Sequence, residues 1–590
     1  MKKKHYIIIA IAVAIIFSIA IGIVVWRSTY NKIVDQFPRT PFVFSDTNCS
    51  EYVTENFMLD KYFLVNEALY KVTWSSNSER VKDGKVSRPE YTNEDVVLTA
   101  SITINDTTYS KDYKVTLIKD NLPADLVLPD MQSVEKFYVK DTLTSVRIPY
   151  DLRENLSVQS SDDAEAVISK MCTWFNYEEG TRFEFVGVQS NLVGRTYMFK
   201  HIAGTSPVGD GFITITTQDD KLASVAISVI GKEYAVNIPT EEAIANVIGD
   251  KYHNYLVEAI KVKNDSSWNI YISTVGETVD FRVLAINFAT SEIISDNLLA
   301  SQDVSAWDKP INVIDVSSDG QTQVLEIYNF FKDMINRAYT NGKEIHDTNI
   351  TFSGTNGTYN TKTSEHFKSV VDWYYNTLNR DMPNGKGGQV QALTNVDWSL
   401  DTAFYAEYLD LFVFGKQDTL SKNPCEVVDT IIHEYNHAMF SHINYGSSAG
   451  NPEMRAIHEG YADIMLFAMT DNWTFGEELK DPQYIRDYTS SNNVDEYGNP
   501  LPESYGDLVW INTNAYKNAS MLVKVAYQMR QSGMTSEDIA RIWYQSMFYG
   551  YSSQSSFVHV KNNVLMAAMD LDYSENAINT IKTSFESFGI

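Results

Sequence analysis

The sequence predicts a multidomain chain. It reads as a membrane anchor helix, a β-sandwich, two small α+β modules, and a C-terminal α+β part whose second half is helical. Three observations predict this. An apolar run of 21 residues, Tyr6 to Trp26, opens the chain. Apolar and polar residues alternate with period two in stretches between about Pro38 and Lys119. After Asp429 helix-compatible segments dominate, around His433-Glu434-Tyr435-Asn436-His437. Composition agrees: 590 residues leave room for several domains, and 44% hydrophobic with 21% charged residues excludes a mostly disordered chain. The balance of 48 basic against 76 acidic residues, a net of −28, argues against a nucleic-acid partner. It suits solubility outside a cell. Cys49, Cys172 and Cys425 lie far apart, which excludes a disulfide scaffold and a cysteine-clustered metal site.

The elements follow in order. A helix of this length spans about 30 Å of hydrocarbon. Lys2, Lys3 and Lys4 precede the run, and Arg27 and Lys32 follow it. The positive-inside rule makes residues 1–30 a cytoplasmic stub and transmembrane anchor, with everything after Arg27 outside. A signal peptide has a shorter core and a small-residue cleavage site. This run ends in Val24-Val25-Trp26-Arg27, so the reading is a single-pass protein of the cell membrane with a large extracellular part. In residues 38–120, Thr99 to Ile104 and Tyr113 to Ile118 alternate, and Asn105-Asp106 is a polar turn between them. Such strands suggest a sandwich. Residues 121–235 mix a short helix, Ala164 to Trp174, with strand-like runs at Arg182–Val186, Thr196–Lys200 and Gly211–Thr216. Residues 236–298 give a helix, Glu241 to Ile248, then strands Trp268–Ser273 and Asp280–Asn287. Neither segment gathers His, Cys or paired carboxylates.

The chemistry gathers in residues 300–590. His433 and His437, at i and i+4, lie on one helical face and can bind one Zn²⁺. Glu434 can reach the same place as a general base on a metal-activated water. A catalytic zinc usually has three protein ligands and one open position. His442 fails as the third, because it lies nine residues after His433 with Phe440 where a metzincin glycine would stand. Glu459 fits better, within Ala456-Ile457-His458-Glu459-Gly460-Tyr461-Ala462-Asp463. There Asp463 lies one turn on and can hold the outer nitrogen of a ligand histidine. Glu453 is the second choice of ligand.

On these residues the segment from about Asn312 to Ile590 resembles the catalytic domain of the thermolysin family of zinc metallopeptidases. Val371-Asp372-Trp373-Tyr374-Tyr375-Asn376 with Asn379-Arg380 is similar to a helix of that family's first lobe. Ala403-Phe404-Tyr405 and Val413-Phe414-Gly415 resemble its substrate-facing edge strand region, which makes Ala403 and Phe404 candidates for substrate binding. Thr402 stands where the family usually has a substrate-binding asparagine. The resemblance implies a β-rich lobe followed by a helical lobe, with zinc between them and a peptide or protein substrate. Tyr197 to Ile213, containing Gly204 to Gly211, resembles the propeptide domain that precedes such enzymes, and about 240–298 resembles a PepSY-type propeptide module. In that family such regions assist folding and inhibit until cleaved. Cleavage here would let the catalytic part leave the anchor. Val72 to Asn77, followed by Val97-Leu98-Thr99-Ala100, resembles bacterial immunoglobulin-like modules and reads as a spacer.

The departures matter as much. Trp510 stands where the family has a histidine that stabilises the tetrahedral intermediate, and Tyr505 stands in place of that histidine's acid. Trp510 is then a wall aromatic or a substrate contact. Arg486 matches the family arginine that contacts the substrate carbonyl, and Tyr445 is a candidate for its active-site tyrosine. Asp429, Glu477 and Glu478 match calcium-ligand positions, while Thr470 and Asn472 replace carboxylates, so at most one weak Ca²⁺ site is expected. Two functions are therefore carried forward. The first is a membrane-anchored extracellular zinc endopeptidase. The second is a catalytically weak or inactive zinc-binding relative that binds peptides or a partner at the surface.

Overall fold

A computed structural model describes residues 30–590 apart from 45–47, 67, 91, 121–125, 172–173, 176–181, 204–205, 228–238, 240, 250, 253–254, 265–266, 276–277, 304–310, 316–360, 388–389, 397–402, 408–409, 416–419, 445–451, 480–485, 491–493, 496–497, 508–514 and 553–554. Among the described residues no helix is long and apolar enough to cross a membrane. The run Tyr6 to Trp26, the expected anchor, lies outside them. The chain divides into two compact units: one runs to residue 120 except for 46–49, and the other takes 46–49 and 121–590.

Apart from a helical stretch at residues 30–34, the regular structure described in the first unit is β. Strands β1 (Thr73–Ser76), β2 (Glu94–Ile104) and β3 (Thr107–Leu117) form an antiparallel sheet in that order. Asn105 (φ 47°) and Asp106 (φ 63°) make the two-residue turn from β2 to β3. Positive φ at both positions gives a turn whose twist matches that of the strands, and Asn and Asp tolerate it. Along β2 the side chains of Val96, Leu98, Ala100 and Ile102 are buried while their neighbours are not. This is the period of two read from the sequence. The buried face packs on Phe42, Phe57 and Phe63, with Trp74 edge-on to Phe63 at 6.2 Å. Two-stranded ladders at 42–43 with 58–59, 62–65 with 68–71, and 81–82 with 85–86 complete the described part.

The second unit opens with a six-stranded antiparallel sheet. Its strands are β4 (Glu135–Val139), β5 (Thr142–Arg147), β6 (Arg182–Ser190), β7 (Gly194–Ala203), β8 (Ser206–Gln218) and β9 (Lys221–Ile227), in the order β4-β5-β9-β8-β7-β6. Helix α1 (Ser161–Met171) packs on β6. It starts three residues before the apolar pattern suggests. The cause is a cap: Ser160 Oγ accepts from Asp163 N at 3.1 Å, and the Asp163 carboxylate accepts from the backbone of Gln159 and Ser160. A second antiparallel sheet follows, β10 (Tyr255–Asn264), β11 (Ser267–Val275), β12 (Thr278–Asn287) and β13 (Glu292–Asp303). Helix α2 (Glu241–Ile248) lays Ile244 and Ile248 on Ile270, Ile272, Leu284 and Ile286 of this sheet.

The rest of the unit carries the site. Strands β14 (Ile311–Asp315) and β15 (Val390–Val396) run parallel, β17 (Leu411–Gly415) is parallel to β15, and β16 (Ala403–Ala406) pairs antiparallel with β17 at the end of the sheet. Helix α3 (Thr361–Leu378) packs on this sheet and on α4 (Val428–Ile443). Helices α5 (Pro452–Thr470), α6 (Ala515–Gln531), α7 (Ser536–Ser546), α8 (Phe557–Asp570) and α9 (Glu575–Glu586) follow. A short ladder, β18 (Thr474–Phe475) with β19 (Arg486–Asp487), lies between α5 and α6 in the chain. One large core joins α3 to α9 with β15 and β17, and it also takes in Ala226 of β9, with Phe137 and Leu192 packed against it. The first sheet of the unit thus shares its core with the helices. Of the cysteines, Cys49 and Cys425 are both buried and in no disulfide.

Candidate metal centre

Helix α4 is buried from Thr430 to Ser441. A helix apolar on nearly all sides sits inside a core, so its few polar side chains need partners. Tyr374 of α3 donates to Asn436 Oδ1, and Asn436 Nδ2 donates to Ala462 O at 2.8 Å. This side chain ties α3, α4 and α5 into one register. Gly460 lets α5 approach α6: a Cβ there would meet Leu522 Cδ1 at 3.2 Å.

That register aims His433 and His437 of α4 and Glu459 of α5 at one point. The two Nε2 atoms are 3.0 Å apart, and they lie 3.3 and 3.4 Å from Glu459 Oε2. These are the atoms that could hold a metal ion together. Glu459 Oε2 is buried with no hydrogen-bond partner. Three Lewis bases this close repel one another unless a proton or a cation sits among them. A tetrahedral zinc with arms of 2.0–2.1 Å spaces its ligands by about 3.3 Å. The triangle therefore fits zinc in size and in donor set.

The electrostatics of the group follow from burial. For His433, burial disfavours the imidazolium, but the hydrogen bond to Asp463 and the adjacent Glu459 carboxylate outweigh it and push the pKa up to about 10. The Glu459 carboxyl is held well below its ordinary range: its burial is overcome by the charge of His437 and by both imidazoles. Burial raises the Glu434 carboxyl, against the pull of His437 and His433. Glu434 is only 6% exposed and accepts a backbone hydrogen bond from Tyr405 of β16.

Around the triangle stand its supports. Asp463 Oδ1 is 2.9 Å from His433 Nδ1. The same carboxylate holds Arg486 at 3.0 Å through each oxygen and accepts from Tyr488 Oη at 3.2 Å. The Arg486 guanidinium lies over the Phe475 ring at 4.2 Å. His437 Nδ1 meets His458 Nδ1 at 2.7 Å. Burial, then the charge of His437, pushes His458 down to about 3. Tyr516, in the first turn of α6, has its ring 5.4 Å from the Arg486 carbon and is 53% exposed. The Glu459 carboxylate is the largest influence on its phenol, raising the pKa, with burial next and Glu434 adding to it. The Tyr516 phenol is therefore within electrostatic reach of the Glu459 and Glu434 carboxylates. Neither His458 nor Tyr516 stood out in the sequence. One reads as a neighbour of Glu459, and the other lies 57 positions beyond it.

The other sequence candidates fall in place as follows. Ala403 and Phe404 lie on β16, which packs against α4. Glu453 does not face the triangle: it accepts from Phe557 N at 2.6 Å and from Tyr505 Oη at 2.8 Å. His442 pairs with Asp410 at 3.1 Å. Asp429 takes a hydrogen bond from Gly476 N at 3.4 Å, and burial followed by the charge of Glu477 pushes its carboxyl up to about 6. Glu477 accepts from Thr474 Oγ1 at 2.9 Å and leaves Oε2 buried without a partner. Glu478 instead makes an exposed ion pair with Lys422 at 2.8 Å. Tyr445, Trp510 and Thr402 lie outside the described residues.

Comparison with known proteins places these observations. The model of the atrophied bacterial Ig domain matches residues 42–120. The thermolysin metallopeptidase catalytic domain matches 295–441, and the family's alpha-helical domain matches 442–590. A zinc metalloproteinase of Listeria monocytogenes is 24% identical over 264 residues, covering 41% of this chain and 48% of its own length. Bacillolysin of Brevibacillus brevis is 22% identical, covering 38% of this chain and 45% of its own length; for bacillolysin of Bacillus amyloliquefaciens the figures are 23%, 38% and 42%. This chain spans about half the length of the curated relatives it matches. The solved precursor of protealysin from Serratia proteamaculans superposes with a TM-score of 0.36 at 12% identity, over 48% of this chain and 87% of that one. Two adjoining matches from residue 295 to the last residue are halves of one family's description, the junction falls inside the helix that carries His433 and His437, and the chain belongs to the thermolysin metallopeptidase family.

Proposed function

We propose that this chain is a zinc-dependent endopeptidase. The observation that carries the reading is the triangle of His433, His437 and Glu459, with edges of 3.0, 3.3 and 3.4 Å and the buried carboxylate of Glu434 beside it. These three atoms would hold zinc, which would supply Lewis acidity toward the scissile carbonyl and a more acidic water. Glu434 takes a proton from that water and gives it to the leaving amine, so one water and one peptide bond become a carboxylic acid and an amine. Arg486, fixed by Asp463, and Tyr516 are the described donors set to meet negative charge developing on the carbonyl oxygen. Strand β16, with Ala403 and Phe404, lies at the end of its sheet beside the helix of Glu434 and guides an extended substrate. Tyr445 and Trp510 remain assigned to the same site on sequence grounds. Asp429 and Glu477 remain the candidates for a weak calcium site, to which Glu478, paired with Lys422, is assigned on sequence grounds alone.

The same reading covers the remaining parts. The apolar run of residues 6–26 anchors the chain in the cell membrane, and the rest lies outside. Residues 121–235 and 236–298 act as a propeptide whose cleavage would release the catalytic part. The competing reading is a zinc-binding relative without activity, favoured by Trp510 at the position of the family histidine. Zinc content and peptide cleavage on one purified sample separate the two, with wild type and Glu434→Gln side by side. The enzyme reading expects about one zinc per chain in both and cleavage in wild type alone, at least ~10²-fold above the variant. Zinc without cleavage by wild type would leave the binding reading.

A further inference from the structure

The backbone N–H of Tyr405 donates to the Glu434 carboxylate. On its own strand Tyr405 stands opposite Phe412 of β17. An N–H bound to Glu434 points away from β17. In an antiparallel strand the backbone groups two residues away point the same way. Ala403 therefore turns its N–H and C=O toward the side of Glu434 as well. A strand of four residues at the end of a sheet has few ladder bonds to fix it. What fixes it lies at the tip of Tyr405. Its Oη donates to Asp410 Oδ1 at 2.8 Å. His442 Nε2 lies 3.1 Å from the same oxygen and 3.3 Å from the phenol oxygen. An ionised carboxylate only accepts, so His442 carries a proton on Nε2 and donates it to Asp410. Asp410 stands in the loop between β16 and β17, at φ 50°, a left-handed conformation that Asp tolerates. The Tyr405 ring packs on Phe412 at 5.1 Å. Strand, loop and the last turn of α4 meet at this point. The helix end is itself held: Asn444 N donates to Phe440 O at 2.8 Å, and Gln189 of β6 donates to His442 O at 2.9 Å.

We infer that His442 is a positioning residue for the substrate-facing strand: through Asp410 and Tyr405 it clamps β16 to the last turn of α4 and sets the strand's open side against Glu434. The inference rests on the zinc peptidase reading. Tyr405 joins the two ends of the device. Its main chain touches the general base, and its side chain is tied to the clamp. An extended peptide laid along β16 depends on the strand's placement at several backbone groups. A blocked dipeptide reaches few of them. The clamp therefore acts on long substrates more than on short ones.

The test compares an octapeptide with a blocked dipeptide as substrates of the full-length chain. His442→Leu keeps the bulk and the helix and removes the donor. His442→Gln carries an amide N–H near the place of Nε2 and restores it. The Leu variant should lose about 5-fold in kcat/KM on the octapeptide, mostly through KM, and little on the dipeptide; that is the worth of one hydrogen bond at a half-exposed site. The Gln variant should recover most of the loss. Equal losses on the two peptides would mean a general loss of structure and would overturn the assignment, as would a Gln variant no better than Leu. A second measurement needs no cleavage. Amide hydrogen exchange, followed by mass spectrometry, should be about 5-fold faster at residues 403–406 in the Leu variant, with residues 430–441 unchanged. Unchanged exchange at 403–406 would overturn the clamp. If zinc-loaded wild type cuts neither peptide, the peptidase reading is overturned, and the exchange result alone upholds or overturns the clamp. Cleavage by wild type with an unaffected Leu variant overturns this assignment alone.

Discussion

At the scale of single residues, two kinds of polar group surround the triangle, and they have different tasks. Asp463 and His458 touch only the outer nitrogens of the ligand histidines, at 2.9 and 2.7 Å. Tyr516 and Arg486 stand where charge would develop. Arg486 is already committed to Asp463 through both oxygens, so its charge is partly spent before substrate arrives. The Glu459 carboxylate and burial keep the Tyr516 phenol protonated against the opposing charge of Arg486, and the protonated phenol is the state that donates. Tyr516→Phe should lower kcat by about 10²-fold with KM little changed, the usual cost of one oxyanion donor. Steady-state kinetics on a single peptide would check it, and an unchanged kcat would remove Tyr516 from the site. His433 with His437, and Glu459 with Asp463, could be picked out in the sequence because helical spacing places each pair on one face, and Glu434 because it follows His433 in the HExxH pattern. His458 and Tyr516 could not. Their roles depend on how α5 and α6 cross α4, and no spacing within one helix encodes a crossing.

At the scale of elements, the helices of the last 130 residues are set by their caps as much as by their apolar faces. Helix α8 begins at Ser556, and His559 closes the first turn: its Nδ1 accepts from Ser556 N at 3.0 Å and faces Ser556 Oγ at 2.9 Å. Burial pushes this histidine down to about 4. An unfolded histidine titrates near 6.5. Between these values the unfolded chain binds the extra proton, so stability rises with pH. The contribution is complete above about pH 6.5 and is lost as the pH falls through about 4. For this half-buried ring it amounts to roughly 2 kcal/mol. His559→Asn keeps an acceptor that does not titrate. Urea melts at pH 7 and pH 4.5 should differ less for the variant than for wild type by about that amount, and an equal pH loss in both would refute the role. The start of α1 teaches the same lesson. Apolar periodicity put it at Ala164, but the reciprocal bonds of Ser160 and Asp163 start it at Ser161.

At the scale of the whole second unit, the contact that joins its first sheet to its helices is ionic and buried. Asp570 at the end of α8 is fully covered. It meets Arg147 Nε at 2.7 Å, Arg153 at 3.3 Å and Tyr549 Oη at 2.7 Å. Arg147 also donates to Met569 O at 2.9 Å. Around it, Gln189 donates to His442 O, Leu192 N to Gln545 Oε1, and Asn562 to Tyr138 O. Removing one member of such a cluster strands the others. Asp570→Ala leaves the Arg153 guanidinium inside without an anion and Arg147 with Glu135 alone, at 3.1 Å, and should cost about 3–5 kcal/mol. Chemical denaturation read separately by tryptophan fluorescence and by zinc release would check it; a loss under 1 kcal/mol would mean that water replaces the carboxylate. If the propeptide role proposed for residues 121–235 holds, this cluster would keep the cleaved segment seated, since none of its bonds needs the intervening chain.

The sequence by itself determined the alternating strands around the Asn105-Asp106 turn, the helix bearing two histidines four apart, and the glutamate and aspartate four apart on the next helix. Each is a local matter: residue spacing and backbone period decide which side chains share a face. Only the tertiary structure decided that the two helices meet at 3.0–3.4 Å between ligand atoms, that His458 rather than a carboxylate backs His437, and that Arg147 and Arg153 find Asp570 more than 400 residues away. Those contacts are settled by packing, where burial forces each polar group to find whatever partner the crossing elements bring within reach.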